Sequence, residues 1–166
     1  MSVRLTWRNE WSLGIGVLDE DHRSLVETLI DISLRYCPQA TPPVAMPPAA
    51  RSAAPSTGTS AVATGLAAAL NTFRDKARCH FRREEAFMHA IDYERCEEHE
   101  AAHAALLAGL DAMVHGCLER SDRVFDEIGQ AQLRDWLLGH ILVRDRELVR
   151  VYLALCGLED SGGWLN

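Results

Sequence analysis

Apolar residues recur along most of this chain at three- and four-residue steps, the period of a helix face rather than of a strand. Leu25, Leu29, Ile32 and Tyr36 trace the first such stripe, over residues 19–36. Asp19, followed by Glu20 and Asp21, predicts an N-cap and an acidic first turn, which suits the positive end of the helix dipole. Leu66, Leu70, Phe73, Ala77, Phe81 and Met88 predict a second helix over about 61–90. After a break at Asp92-Tyr93-Glu94, a third helix, from about 93 to 118, carries Leu106, Leu107, Leu110, Met113 and Val114. A fourth runs from about 123 to 156, with Ser121 or Asp122 as N-cap and Gly157 as its stop.

The pattern lapses in three places. Residues 1–18, with Trp7, Trp11, Gly14 and Gly16, read as an extended arm with turns. Residues 37–60 hold all six prolines among Ala, Ser, Thr and Gly, and read as a flexible insert between helices one and two. Residues 158–166 read as a frayed tail. With no strand pattern and no repeat, the expected fold is all-α: an antiparallel up-down four-helix bundle forming one domain over residues 1–166.

Composition narrows the function. A 166-residue chain that is 48% hydrophobic has the size and content of one globular core. A net charge of −7, without a basic run, argues against nucleic-acid and anionic-membrane partners. The first residues lack the apolar core of a signal peptide, and no stretch reads as the roughly 20 apolar residues of a membrane span, so the expected location is the cytoplasm. The five cysteines (Cys37, Cys79, Cys96, Cys117 and Cys156) are odd in number and widely spaced, and read as small buried hydrophobes.

The chemistry lies in the histidines. His80 and Glu84 are four apart on helix two, and His99 and His103 four apart on helix three, so each pair shares a helix face. His22 opens helix one beside Asp21, and His140 lies in helix four, five residues before Asp145. Every helix thus offers a nitrogen or oxygen donor to the bundle interior. Seven donors are too many for one ion and reasonable for two, with carboxylates as natural bridges. A histidine and carboxylate set without thiolate favours iron or manganese over copper. His140 and Asp145 stand about 140° apart on an ideal helix, so a shared site predicts a π-bulge or a bend between them. His89 and His115 read as surface residues, and Glu85 as solvent-facing.

The ordered set resembles the hemerythrin family, specifically its single-domain bacterial members. The resemblance rests on Trp7, on Gly14-Ile15-Gly16-Val17-Leu18-Asp19-Glu20-Asp21-His22, and on His80-Phe81-Arg82-Arg83-Glu84-Glu85 with Met88 and Tyr93 after it. His99-x-x-x-His103 and Trp136-Leu137-x-x-His140-Ile141-x-x-x-Asp145 complete it. It implies two iron ions: one held by His99, His103 and His140, the other by His22 and His80. Glu84 and Asp145 would bridge them beside an oxo or hydroxo group. It implies an open position on the second iron where dioxygen binds, walled by Trp136, Leu137 and Ile141. The function implied is reversible dioxygen binding, for storage, delivery or sensing, rather than catalysis.

Two rivals share some of these residues. His99-Glu100-Ala101-Ala102-His103 matches the zinc-protease H-E-x-x-H, but that reading leaves His22, His80, Glu84 and His140 without a role. A di-iron oxidase or peroxidase is the other; its ferritin-like form needs Glu-x-x-His on two helices, and Glu100-x-x-His103 is the one instance here.

Overall fold

A computed structural model describes residues 6–37, 61–119 and 127–158. The described chain is a helical bundle. Helix α1 spans Gly16–Tyr36, α2 Ala61–Ala90 and α3 Cys96–Glu119. The fourth rod is built of α4 (Glu127–Gly139), a π-helical segment (His140–Asp145) and α5 (Arg146–Leu155). The residues flanking the π segment, Gly139 and Arg146, keep right-handed helical angles, so the rod continues through it. The insert after Cys37, the turn with Ser121 and Asp122, the start of the fourth helix at Arg123 and the tail from Glu159 lie outside the described residues.

Each helix buries one stripe. On α1 it runs Leu18, His22, Leu25, Leu29, Ile32, alternating steps of four and three. On α2 it runs Leu66, Leu70, Phe73, Ala77, His80, Glu84, Met88. The main apolar core joins Leu25, Leu29 and Ile32 to Phe73 and Phe81, to Leu110 of α3, and to Leu133, Leu137 and Ile141 of the fourth rod. Side chains such as Phe73 and Leu29, 0% exposed, each contribute about 1.5–3 kcal/mol by leaving water. Gly65 lets α1 approach here: a Cβ on it would stand 2.9 Å from the Tyr36 hydroxyl. At the end of α5, Gly157 takes φ 66°, and Leu158 N–H donates to the Leu153 carbonyl at 2.9 Å, closing the helix as its sequence position predicts.

Four expectations change. Helix α1 starts at Gly16, not at 19, so Asp19 is not its N-cap. A left-handed Gly14, φ 81°, turns the arm back over the helix start. The Asp19 carboxylate there accepts hydrogen bonds from the Ser12 hydroxyl and from the N–H groups of Leu13 and Gly14 at 2.6–3.0 Å. The arm itself holds a short 3₁₀ turn, Asn9–Trp11. The cysteines are mostly not buried: Cys117 is, Cys37 and Cys96 are half-buried, and Cys79 and Cys156 are exposed. Finally, α3, at 24 residues and a mean hydropathy of 1.3 over its most apolar window, is long and apolar enough by length and composition to cross a membrane. Its alanines and leucines produce that value. In the fold it packs on α2 and turns His99 and His103 inward.

Candidate metal centre

All seven predicted donors sit within the buried stripes, at positions a bundle ordinarily fills with Leu or Val. His22, Glu84 and Asp145 are 0% exposed, and the least buried, His140, is 7% exposed. They fall into two sets of converging donor atoms: Glu84, His99, His103, His140 and Asp145 in one, His22, His80, Glu84 and Asp145 in the other. The two carboxylates are common to both.

Asp145 shows how the sharing works. Its Oδ1 lies 3.1 Å from His99 Nε2 and 3.1 Å from His140 Nε2, while its Oδ2 lies 3.2 Å from His22 Nε2. One oxygen thus faces each set. Glu84 Oε2 stands 3.2 Å from His103 Nε2 and 3.5 Å from His80 Nε2. The π segment makes this possible: it covers His140 to Asp145 and brings both side chains inward despite their five-residue spacing. The local departure from ideal helix that the spacing required is present.

Hydrogen bonding alone does not account for this cluster. Both Glu84 oxygens are buried without a hydrogen-bond partner, which is costly in a metal-free core. Imidazole nitrogens face one another instead: His22 Nε2 and His80 Nε2 at 2.9 Å, His103 Nε2 and His140 Nε2 at 2.9 Å, His99 Nε2 and His140 Nε2 at 3.1 Å. Neighbouring donors on an octahedral ion with bonds of about 2.1 Å stand about 3.0 Å apart; on a tetrahedral ion they stand about 3.4 Å apart. The donors are spaced as ligands around a cation, and the residues fit a bound metal.

The electrostatics agree. Burial, reinforced by His140 and His99, holds the His103 imidazole down at about 2, so its lone pair is available at neutral pH. Burial likewise lowers His80. Burial raises the Glu84 carboxyl well above its usual range, helped by the Asp145 charge. Burial also pushes on Asp145, but the imidazoles of His140, His22 and His99 outweigh it and hold that carboxylate well below its usual range. The two buried carboxyls are thus pushed in opposite directions by their surroundings.

A second layer orients the donors. Glu85 Oε1 lies 2.9 Å from His103 Nδ1, and Phe81 stacks on the same ring at 3.9 Å between centroids. Asp21 Oδ2 lies 3.4 Å from His80 Nδ1, and Arg83 pairs with the same carboxylate. The His80 ring and the Arg83 guanidinium hold Asp21 down at about 2. Glu85, expected to face solvent, is instead half-buried against His103; its place directly after the inward-facing Glu84 gave no signal of this. Carboxylates on the far nitrogen of a ligating histidine fix its tautomer and strengthen it as a donor. Glu85→Gln is expected to weaken metal binding about 10–100-fold in a chelator competition while leaving helicity intact. Unchanged affinity would show that Glu85 does not support His103.

Of the three expected pocket residues, Trp136 packs against the core cluster that holds the other two. Leu137 and Ile141 are buried in the main core. Trp136 is half-buried and, with Leu106, Arg95 and Arg144, lines a surface cleft of about 360 Å³ that has His140 in its wall. His89 is exposed, as expected, and Glu100 lies 2.7 Å from it, away from His99 and His103. Glu100 is thus not placed as the general base of an H-E-x-x-H site, and the described residues include no strand.

The family model of the hemerythrin HHE cation-binding domain matches residues 13–152. The chain belongs to the hemerythrin family. It is also similar to a bacteriohemerythrin of Stenotrophomonas maltophilia (strain R551-3), 24% identical over 166 residues that cover 98% of this chain and 93% of that protein. No solved structure gives a significant match. Membership of the hemerythrin family implies iron, and the buried His, Glu and Asp cluster is a site that fits a metal.

Proposed function

We propose that this chain binds dioxygen reversibly at a pair of iron ions, with His99, His103 and His140 on one ion, His22 and His80 on the other, and Glu84 and Asp145 across both. The observation that carries the reading is the inequality of the two donor sets. One has five side chains and the other four, with the two carboxylates in each. If an oxo or hydroxo group were a third bridge, the first ion would have six donors and the second five, which would leave room for a diatomic ligand. Nitrogen separations of 2.9–3.1 Å favour a six-coordinate ion such as iron over tetrahedral zinc.

The iron pair supplies two electrons reversibly to dioxygen. The chain's own part is geometry and exclusion. Burial disfavours the protonated form of His80 and His103. Burial disfavours the Glu84 carboxylate until a cation neutralises it, whereas the surrounding imidazoles favour the Asp145 carboxylate. Leu137, Ile141 and Phe81, between 1% and 4% exposed, keep bulk water from the donors and so slow proton-assisted loss of reduced oxygen.

The test is anaerobic reduction of the iron-loaded protein, admission of oxygen and then its removal, followed by visible absorption. A charge-transfer band that appears with oxygen and fades on its removal is the expected result. Steady consumption of oxygen or peroxide, with no reversible band, would replace the carrier with an oxidase or peroxidase. Zinc retained through purification in place of iron would end both readings.

A further inference from the structure

A second group of metal-binding side chains lies outside the buried centre, at the corner between α2 and α3. His89 comes from the last turn of α2, Cys96 opens α3, and Glu100 follows one turn later on the same face. Their donor atoms all lie within 4.8 Å of one another. Cys96 Sγ stands 3.8 Å from His89 Nδ1, 3.9 Å from His89 Nε2 and 3.5 Å from Glu100 Oε1, and His89 Nε2 lies 2.7 Å from Glu100 Oε1.

We propose that His89, Cys96 and Glu100 form a separate mononuclear site for a borderline-soft divalent cation, with zinc the best match and water as fourth ligand. Donor chemistry sets the choice. One thiolate, one imidazole and one carboxylate are a zinc-type set, whereas the buried centre offers no sulfur. Distances agree as well. Around tetrahedral zinc, sulfur stands about 3.5 Å from nitrogen or oxygen, and nitrogen about 3.4 Å from oxygen. The sulfur contacts are already near that value. The imidazole and carboxylate, now 2.7 Å apart, need to part by about 0.7 Å. The His89 side chain, 68% exposed, has the freedom to do so.

The corner also holds the donors in place before any ion arrives. Tyr93 N–H donates to the Met88 carbonyl at 3.0 Å, and Asp92 takes φ 49°, folding the start of α3 back beside the end of α2. Met88 and Tyr93 are buried with Leu148, and Cys96 packs against that cluster. Glu97 beside it adds negative charge, which favours a cation, while Glu98 is paired with Arg95 and Arg144. On binding, the Cys96 thiol passes its proton to solvent and its sulfur takes the metal. The exposed His89 marks a site open to exchange with solvent, unlike the buried pair.

The test is anaerobic titration of the iron-loaded protein with cobalt(II), then with zinc. One equivalent of cobalt should give thiolate-to-cobalt absorption with the visible bands of a tetrahedral ion, and zinc should remove both. Cys96→Ser should abolish the thiolate band, and His89→Ala and Glu100→Gln should each weaken binding by about tenfold or more. The iron spectrum, read in the same samples, should not change in any of the three. The proposal is overturned if no thiolate band forms, if Cys96→Ser keeps it (so that Cys79 or Cys156 is the source), or if cobalt enters only protein stripped of iron. Loss or retention of oxygen binding does not bear on it, so the two readings fail independently.

Discussion

Glu84→Met is expected to make the metal-free protein more stable and the metal-supplemented protein less stable than the parent. The two signs have different causes. Without metal, Glu84 is a fully buried carboxyl with both oxygens unpartnered, next to a second buried carboxylate. Methionine has similar length and flexibility and removes that unsatisfied group. Removing a buried polar group that has no hydrogen-bond partner recovers its desolvation penalty, about 1–3 kcal/mol. For a domain of this size each kcal/mol moves the midpoint by about 2–4 °C. With metal, the parent gains what binding supplies, about 4.1 kcal/mol at a free ion concentration one thousand times Kd, which exceeds the penalty recovered by the variant. The variant loses a donor common to both sets and should lose the gain with it. Thermal melts with and without iron, together with iron-to-protein ratios, read both arms. A variant that melts lower in both states, as an ordinary core substitution does, would show Glu84 to be structural. Undiminished iron content would show that it is not a ligand.

The same contrast explains why the site was legible in the sequence. A helical stripe that passes Leu, Leu, Phe, Ala and then His80 and Glu84 before Met88 places polar groups where the fold must bury them. His22 does so on α1, and His99 and His103 do so on α3. Buried polar groups need partners. Periodicity therefore gave both the bundle and the convergence of donors, and the five-residue step from His140 to Asp145 gave the irregular turn. Other features depend on what folds against what, which a one-dimensional pattern does not carry. Asp19 looked like a cap because it precedes two acids, but a left-handed Gly14 brings the arm to its carboxylate. Glu85 looked solvent-facing because it follows an inward residue, yet it reaches around α2 to the ring of His103 on α3. Cys96 looked like core filler, and it lies at a corner whose shape depends on the positive φ of Asp92. Trp136 sits one residue before the buried Leu137, a rotation of about 100° that sends it to the cleft beside His140.

Changing the length of the π segment should have opposite outcomes in the two directions. Deleting Val143 leaves His140 and Asp145 four apart, which on a regular α-helix puts them about 40° from alignment and one turn apart. Val143 is 66% exposed, so its loss opens no cavity. Leu148 and Val149 keep their spacing from Asp145 and stay in the core. The deletion variant is therefore expected to replace the π turn with α-helix, hold its fold and still bind metal. Inserting an alanine after Val143 instead makes the step six residues, and the segment has no regular turn that accommodates it. Either Asp145 rotates by about 100° away from His22 and His99, or α5 rotates and withdraws Leu148 and Val149 from the core. Iron content should then fall to background, in folded or partly melted protein alike, as read by metal analysis beside circular dichroism. Equal loss of metal in both variants would mean that the π turn supplies geometry an α turn cannot replace. Equal retention would place Asp145 outside the ligand set. The expected asymmetry requires a carboxylate that must face inward from one fixed helical phase. The shared contacts of Asp145 with His22, His99 and His140 describe such a carboxylate.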